Sequence, residues 1–185
     1  MTTSLSQVNL ENTHSLTNNK KNNITLLESR KKQTKTFYKK RSGELQKTSY
    51  SKSTVFIPHE LTVANIQELS HLLTSIEKEK NISVVRGELT KEGRRGGWIR
   101  RLVHKRPDTP ATLQEVSRPW ICLDIDEEDF PPDLDPQKIE DQHTAIHQVI
   151  DKLPPQFREV SFHYQWSSSF GVDQKWGKIK LHLWF

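Results

Sequence analysis

A single cysteine, Cys122, occurs in the 185 residues. No disulfide can therefore form within the chain, and a zinc site built on cysteines is not expected. Apolar residues are scarce as well, at 32% against about 45–50% in an average globular protein. Mean hydropathy is −0.77. No stretch approaches about 20 consecutive apolar residues, which excludes a transmembrane helix. The first 16 residues lack a basic start followed by an apolar core, so no secretory signal is expected and a reducing cytoplasm is the expected setting. Internal repeats are absent. The length suits one domain, or one domain with a tail.

What the chain does have is unevenly distributed charge. Residues 1–52 carry eleven Lys and Arg against three Glu, a balance of +8. Residues 53–185 carry seventeen Lys and Arg against twenty Asp and Glu, a balance of −3. The first segment is rich in Asn, Ser, Thr, Gln and Lys, with only scattered apolar residues. It reads as a disordered basic tail, able to bind nucleic acid through phosphate neutralisation or simply to stay solvated. A short helix over 24–32 is the one element expected in it.

The folded part is expected to start near Val55 and to fill 53–185. Ile66, Leu69, Leu72, Leu73 and Ile76 recur at helical spacing, with Thr62 as the expected cap and an end near Lys80. Residues 84–86 read as a short strand before a turn at Gly87, 91–97 (KEGRRGG) as a basic turn, and 98–104 as a strand. In 120–126 (WICLDID), Ile121, Leu123 and Ile125 alternate with Cys122, Asp124 and Asp126, as strand side chains do. Asp135 with Pro136 opens a second expected helix, whose apolar side carries Ile139, Ile146, Val149, Ile150 and Leu153. Residues 160–166 and 178–185 read as strands around a small polar loop at 167–171. In the last strand Ile179, Leu181, Leu183 and Phe185 share one face, and Lys180, His182 and Trp184 the other. This order predicts an α+β domain with helices on one side of a mainly antiparallel sheet. The apolar run ending at Phe185 has no closing turn, so the sheet is expected to be incomplete at its C-terminus.

Four features could carry chemistry. Asp124 and Asp126, two carboxylates at i and i+2 on one strand face, repel each other unless a cation neutralises them, and Mg²⁺ or Mn²⁺ suits such oxygen ligands. The alternative is an exposed acidic strand end continued by Glu127, Glu128 and Asp129. Ser167, Ser168, Ser169 and Gly171 could bring backbone and hydroxyl donors to phosphates, or form an ordinary hairpin loop. Lys180 and His182 share a strand face and could hold a triphosphate, or be structural. Eight Lys and Arg gather between Arg86 and Arg106 around Trp98, which suits a single-stranded template or a solvated basic hairpin. Arg94, Arg95, Arg100 and Arg101 are its candidate template contacts.

Taken in order, WICLDID, WSSSFGVDQKWGKIKLHLWF and the upstream VVRG at 84–87 make residues 80–185 resemble the archaeo-eukaryotic primase superfamily. The likeness is to the primase-polymerase domains of plasmids, phages and integrated elements. The resemblance implies an RRM-like core with its site on an antiparallel sheet. It matches Asp124 and Asp126 to the metal-holding acids, and His182 to the histidine on the incoming triphosphate. Ser167, Ser168, Ser169 and Lys180 match the surrounding phosphate-binding positions. The implied activity is synthesis of a short primer from nucleoside triphosphates on a single-stranded DNA template, with Mg²⁺ or Mn²⁺ and with a replicative helicase domain as a further candidate partner.

One departure follows from the same resemblance. The family carries a third motif, an apolar residue followed by Asp, after the histidine strand, and this sequence stops three residues past His182. The expectation is an N-terminal part of such a catalytic domain, with weak metal affinity and little turnover. Two competitors remain at this point: a non-catalytic nucleic-acid-binding remnant, and a metal-dependent nuclease using the same carboxylates.

Overall fold

In the computed structural model, residues 22–49, 52–126, 128–172 and 176–185 are described. Asn23–Glu28 (NITLLE) forms β1, the middle strand of an antiparallel sheet between β4 (Ile57–Thr62) and β5 (Ile82–Val85). Leu26 pairs with His59 on one side and Val84 on the other. Both faces of this strand are buried. Ile24 and Leu26 pack under α1 (Ile66–Ile76), while Leu27 joins Phe56, Val85, Leu89, Ile99 and Leu113 behind. The expected disordered tail over 1–52 is therefore wrong for 23–28, as is the helix over 24–32. A strand covered on both faces reads as a continuous apolar run rather than an alternating one, and "ITLL" inside a polar stretch is such a run. The hairpin of β2 (Thr36–Lys39) and β3 (Leu45–Thr48) falls in the same expected tail. The expected start near Val55 likewise moves upstream, and residues 1–21 of the expected tail lie outside the described residues.

Helix α1 begins at Asn65 rather than Thr62. The Asn65 carboxamide oxygen accepts from the Glu68 amide at 2.9 Å, and the Glu68 carboxylate accepts from the Ala64 amide at 2.8 Å. These two bonds satisfy donors that a helix start otherwise leaves open. The helix ends at Ile76, and Leu69, Leu73 and Ile76 form its buried stripe. Residues 98–104 are not a strand: Ile99 makes only an isolated bridge to Phe56. A short pair, β6 (Glu88–Leu89) with β7 (Leu113–Gln114), and a 3₁₀ turn at Gly93–Arg95 complete this region.

The second sheet is β8 (Cys122–Ile125), β10 (Leu181–Trp184) and β9 (His163–Trp166), antiparallel with β10 in the middle. Its back face, with Leu123, Ile125, Tyr164, Trp166, Leu181 and Leu183, packs on α2 (Ile139–Asp151) through Ala145, Ile146, Val149 and Ile150. That helix starts three residues after Pro136, and the Asp135 carboxylate instead accepts from the Gln137 amide at 2.9 Å. Helix α1 meets the opposite face: Ser70 Oγ lies 2.8 Å from His163 Nδ1, and Gln165 donates to the Leu73 carbonyl. The α+β class and antiparallel pairing are as expected, but the helices lie on opposite faces of this sheet and not on one. Trp120 and Trp184, with ring centroids 5.6 Å apart, fill the space between the two sheets. Among the described residues, no helix is long and apolar enough to cross a membrane.

The His163 contact makes a prediction. Its Nε2 is buried without a hydrogen-bond partner, and burial, partly offset by Glu77, pulls its pKa below 6.5. On unfolding the ring regains an ordinary pKa and takes up a proton that the folded protein resists, so stability falls as pH drops below about 6.5. The thermal midpoint should decline over that range, and His163→Gln should flatten the decline. An unchanged profile in the variant would rule the account out.

Candidate functional site

The front face of β8-β10-β9 is laid out in three rows. Trp184 sits between Cys122 and His163, and His182 between Asp124 and Gln165. In the third row the Ser167 amide donates to the Lys180 carbonyl at 2.7 Å, and Lys180 Nζ lies 3.4 Å from Asp126 Oδ1. Period-two alternation alone explains why these polar groups share a face while Leu181 and Leu183 are fully buried on the other. The first row is partly covered by Trp120 and α1, with Cys122 and Trp184 still at the wall of the cleft. The other two open into a cleft of about 910 Å³ lined by Asp124, Asp126, Ser167, Ser168, Ser169, Lys180 and His182.

Within the cleft, His182 Nε2 lies 3.5 Å from Asp124 Oδ1, the side chains being 43% and 70% exposed. Asp124 thus faces an imidazole and Asp126 an ammonium across the strand, and both acids remain accessible to solvent. The serine loop is a tight turn. The Phe170 amide donates to the Ser167 carbonyl at 2.9 Å, and the Ser167 and Ser169 hydroxyls are 3.1 Å apart. Behind it Trp166 stacks on Phe170 at 3.9 Å. Gly171 has φ +67°, and a Cβ there would lie 2.1 Å from the Trp176 ring, so only glycine closes this turn.

Cys122 also lines the cleft, but burial and the Asp124 charge push its thiol up to about 11. It stays protonated near neutral pH and is no nucleophile. Among the described residues, no group of three or more His, Cys, Asp or Glu is gathered to hold a metal. Asp124 and Asp126 are nonetheless the oxygen donors that a hard divalent cation requires. Mg²⁺ is commonly held by only one or two carboxylates together with substrate phosphates.

The basic cluster is placed elsewhere. None of Arg94, Arg95, Arg100 and Arg101 lines the cleft. Arg94 is held by Glu60 through two bonds of 2.7 and 2.9 Å, which raises its pKa further. Arg95 lies 3.8 Å from Glu92. Trp98 is covered by the Arg30 guanidinium at 4.5 Å. Of the sequence-predicted cluster only Arg86 reaches the cleft, joined by Lys35 and Lys47 from the β2–β3 hairpin. Reading the first 52 residues as a tail hid both lysines. The available signal was the Arg41–Ser42–Gly43 turn between the two short segments, where Gly43 takes φ +83°. Glu127, part of the expected acidic run, lies outside the described residues.

Comparison with family models, with curated proteins and with solved structures finds no match.

Proposed function

We propose that this chain carries the catalytic face of a template-directed nucleotidyltransferase of the primase-polymerase type. In this reading β8-β10-β9 with α2 behind it is the core of an RRM-like domain. The observation that carries the proposal is the direct cross-strand pairing of Asp124 with His182, flanked by the Asp126–Lys180 pair and the serine turn, in one open cleft. The acids supply negative oxygens beside two cationic or proton-donating groups, an arrangement suited to a cation-bound triphosphate.

Asp124 and Asp126 would hold Mg²⁺ or Mn²⁺, which when bound neutralises charge on the phosphates. Lys180 and His182 would donate to triphosphate oxygens, and Ser167, Ser168 and Ser169 would offer hydroxyl and amide donors beside them. Part of the protein's task is to keep these donors oriented without reorganisation, which the middle position of β10 supports. The substrates would be nucleoside triphosphates and a single-stranded DNA template, with a replicative helicase domain as a candidate partner.

The small number of acids favours a second reading, a nucleic-acid-binding module without turnover. Primer synthesis on single-stranded DNA with Mn²⁺ separates the two. Synthesis lost in Asp124→Asn supports the first. Binding that survives this change, with no synthesis in the native protein, supports the second. Strand cleavage would instead identify a nuclease.

A further inference from the structure

Lys35, Lys47 and Arg86 line the same cleft as Asp124 and Asp126, and none of them forms an ion pair among the described residues. Phe37 and Lys47 are cross-strand partners, so both project from one face of the hairpin, and both line the cleft. Phe37 is half-buried, and the two lysines and Arg86 are exposed. Tyr38 projects to the other face, where its hydroxyl donates to Gln46 at 2.7 Å. This arrangement is not that of a loose arm. Gln33 anchors the hairpin's root: its amide donates to the Lys80 carbonyl at 2.6 Å, and its side-chain amide to the Ser29 and Ser53 hydroxyls, each at 3.0 Å. Arg86 is presented from a turn that Arg118 fixes by donating to the Arg86 and Gly87 carbonyls at 3.1 and 3.0 Å.

We propose that the β2–β3 hairpin and the Arg86 turn form a binding surface for single-stranded nucleic acid, which holds the strand across the mouth of the cleft. The assignment of that strand as a template rests on the nucleotidyltransferase reading; the binding surface itself does not. Unpaired cations beside an aromatic ring are the combination that takes phosphates and a stacked base together. A duplex keeps its bases stacked on one another and offers no face to Phe37. Glu77 and Glu79, just past the end of α1, also line the cleft and repel a polyanion from that part of its wall.

The test uses the full chain and a fluorescent oligothymidine of about 15 nucleotides, with affinity measured by anisotropy over a salt series. Lys35→Gln/Lys47→Gln should weaken binding about tenfold and reduce the slope of log affinity against log salt by about 1.4, since each lost phosphate contact removes about 0.7. Phe37→Ala should weaken binding about tenfold with the slope unchanged, and Phe37→Tyr should retain it. Arg100→Gln/Arg101→Gln removes the same charge outside the cleft and should change affinity less than about twofold. The inference is overturned by unchanged affinity in the hairpin variants, by an equal loss in the Arg100/Arg101 variant, by equal affinity for duplex DNA, or by equal competition from an acidic peptide. Binding of ATP with Mn²⁺, measured in parallel, should be unchanged in the hairpin variants and weakened about tenfold or more in His182→Ala. Oligonucleotide binding lost in the hairpin variants, with ATP binding intact in His182→Ala, would sink the nucleotide site and leave the hairpin surface standing; unchanged oligonucleotide binding in the hairpin variants, with ATP binding weakened in His182→Ala, would do the opposite.

Discussion

His182→Ala is expected to weaken binding of ATP with Mn²⁺ by about tenfold or more, and His182→Gln to recover part of the loss. The imidazole stands in the middle row of the open face, between Asp124 and Gln165. Its Nε2 lies 3.5 Å from the Asp124 carboxylate. A hydrogen bond to a charged group contributes about 1.5–3 kcal/mol, and the lower end applies to a side chain this exposed. The Ala variant should melt close to the native temperature, because substitutions on the surface usually stay within about 0.5 kcal/mol. Calorimetric titration with thermal melts on the same samples checks both halves. Native affinity in the Ala variant would remove His182 from the site, whereas a large drop in melting temperature would reassign the residue to structure.

Leu26→Ala should produce the largest loss of stability. Its side chain is fully buried on the middle strand of the first sheet, against Leu69 and Leu73 of α1. Truncating a buried Leu costs about 2–5 kcal/mol, because the lost transfer energy is joined by the cavity left behind. For a chain of this size that lowers the thermal midpoint by about 5–15 °C. Were residues 1–52 a solvated arm, the same change would leave the midpoint where it was. Circular dichroism melts therefore decide whether the fold begins at β1 or near Val55.

The contrast between β1 and β10 explains what could be read from the residues. In β10 the alternation of Leu181, His182, Leu183 and Trp184 is visible because one face packs on α2 and most of the other faces a cleft. The same holds for Leu123 and Asp124 in β8, so the central part of the candidate site is legible in the sequence. β1 carries no such signature, since Ile24 and Leu26 face one core and Leu27 another. Its neighbours in sequence are polar, which lowers the average that a composition argument relies on. Arg94 misled for a different reason. Its charge is spent on Glu60, a residue 34 positions away, and no local pattern announces that pairing. Lys35 and Lys47 were visible only as tail charge until the hairpin carried them to the cleft.

The alternation in β10 has one more consequence. The same four residues that seat Leu181 and Leu183 on α2 present His182 to Asp124, so a slip by a single residue would push the imidazole into oil and the leucines into water. Strand alignment is thereby proofread by hydrophobicity: misaligned chains forfeit their folding free energy together with their chemistry. Folded molecules in which only the ligand-facing groups are out of frame should accordingly be scarce.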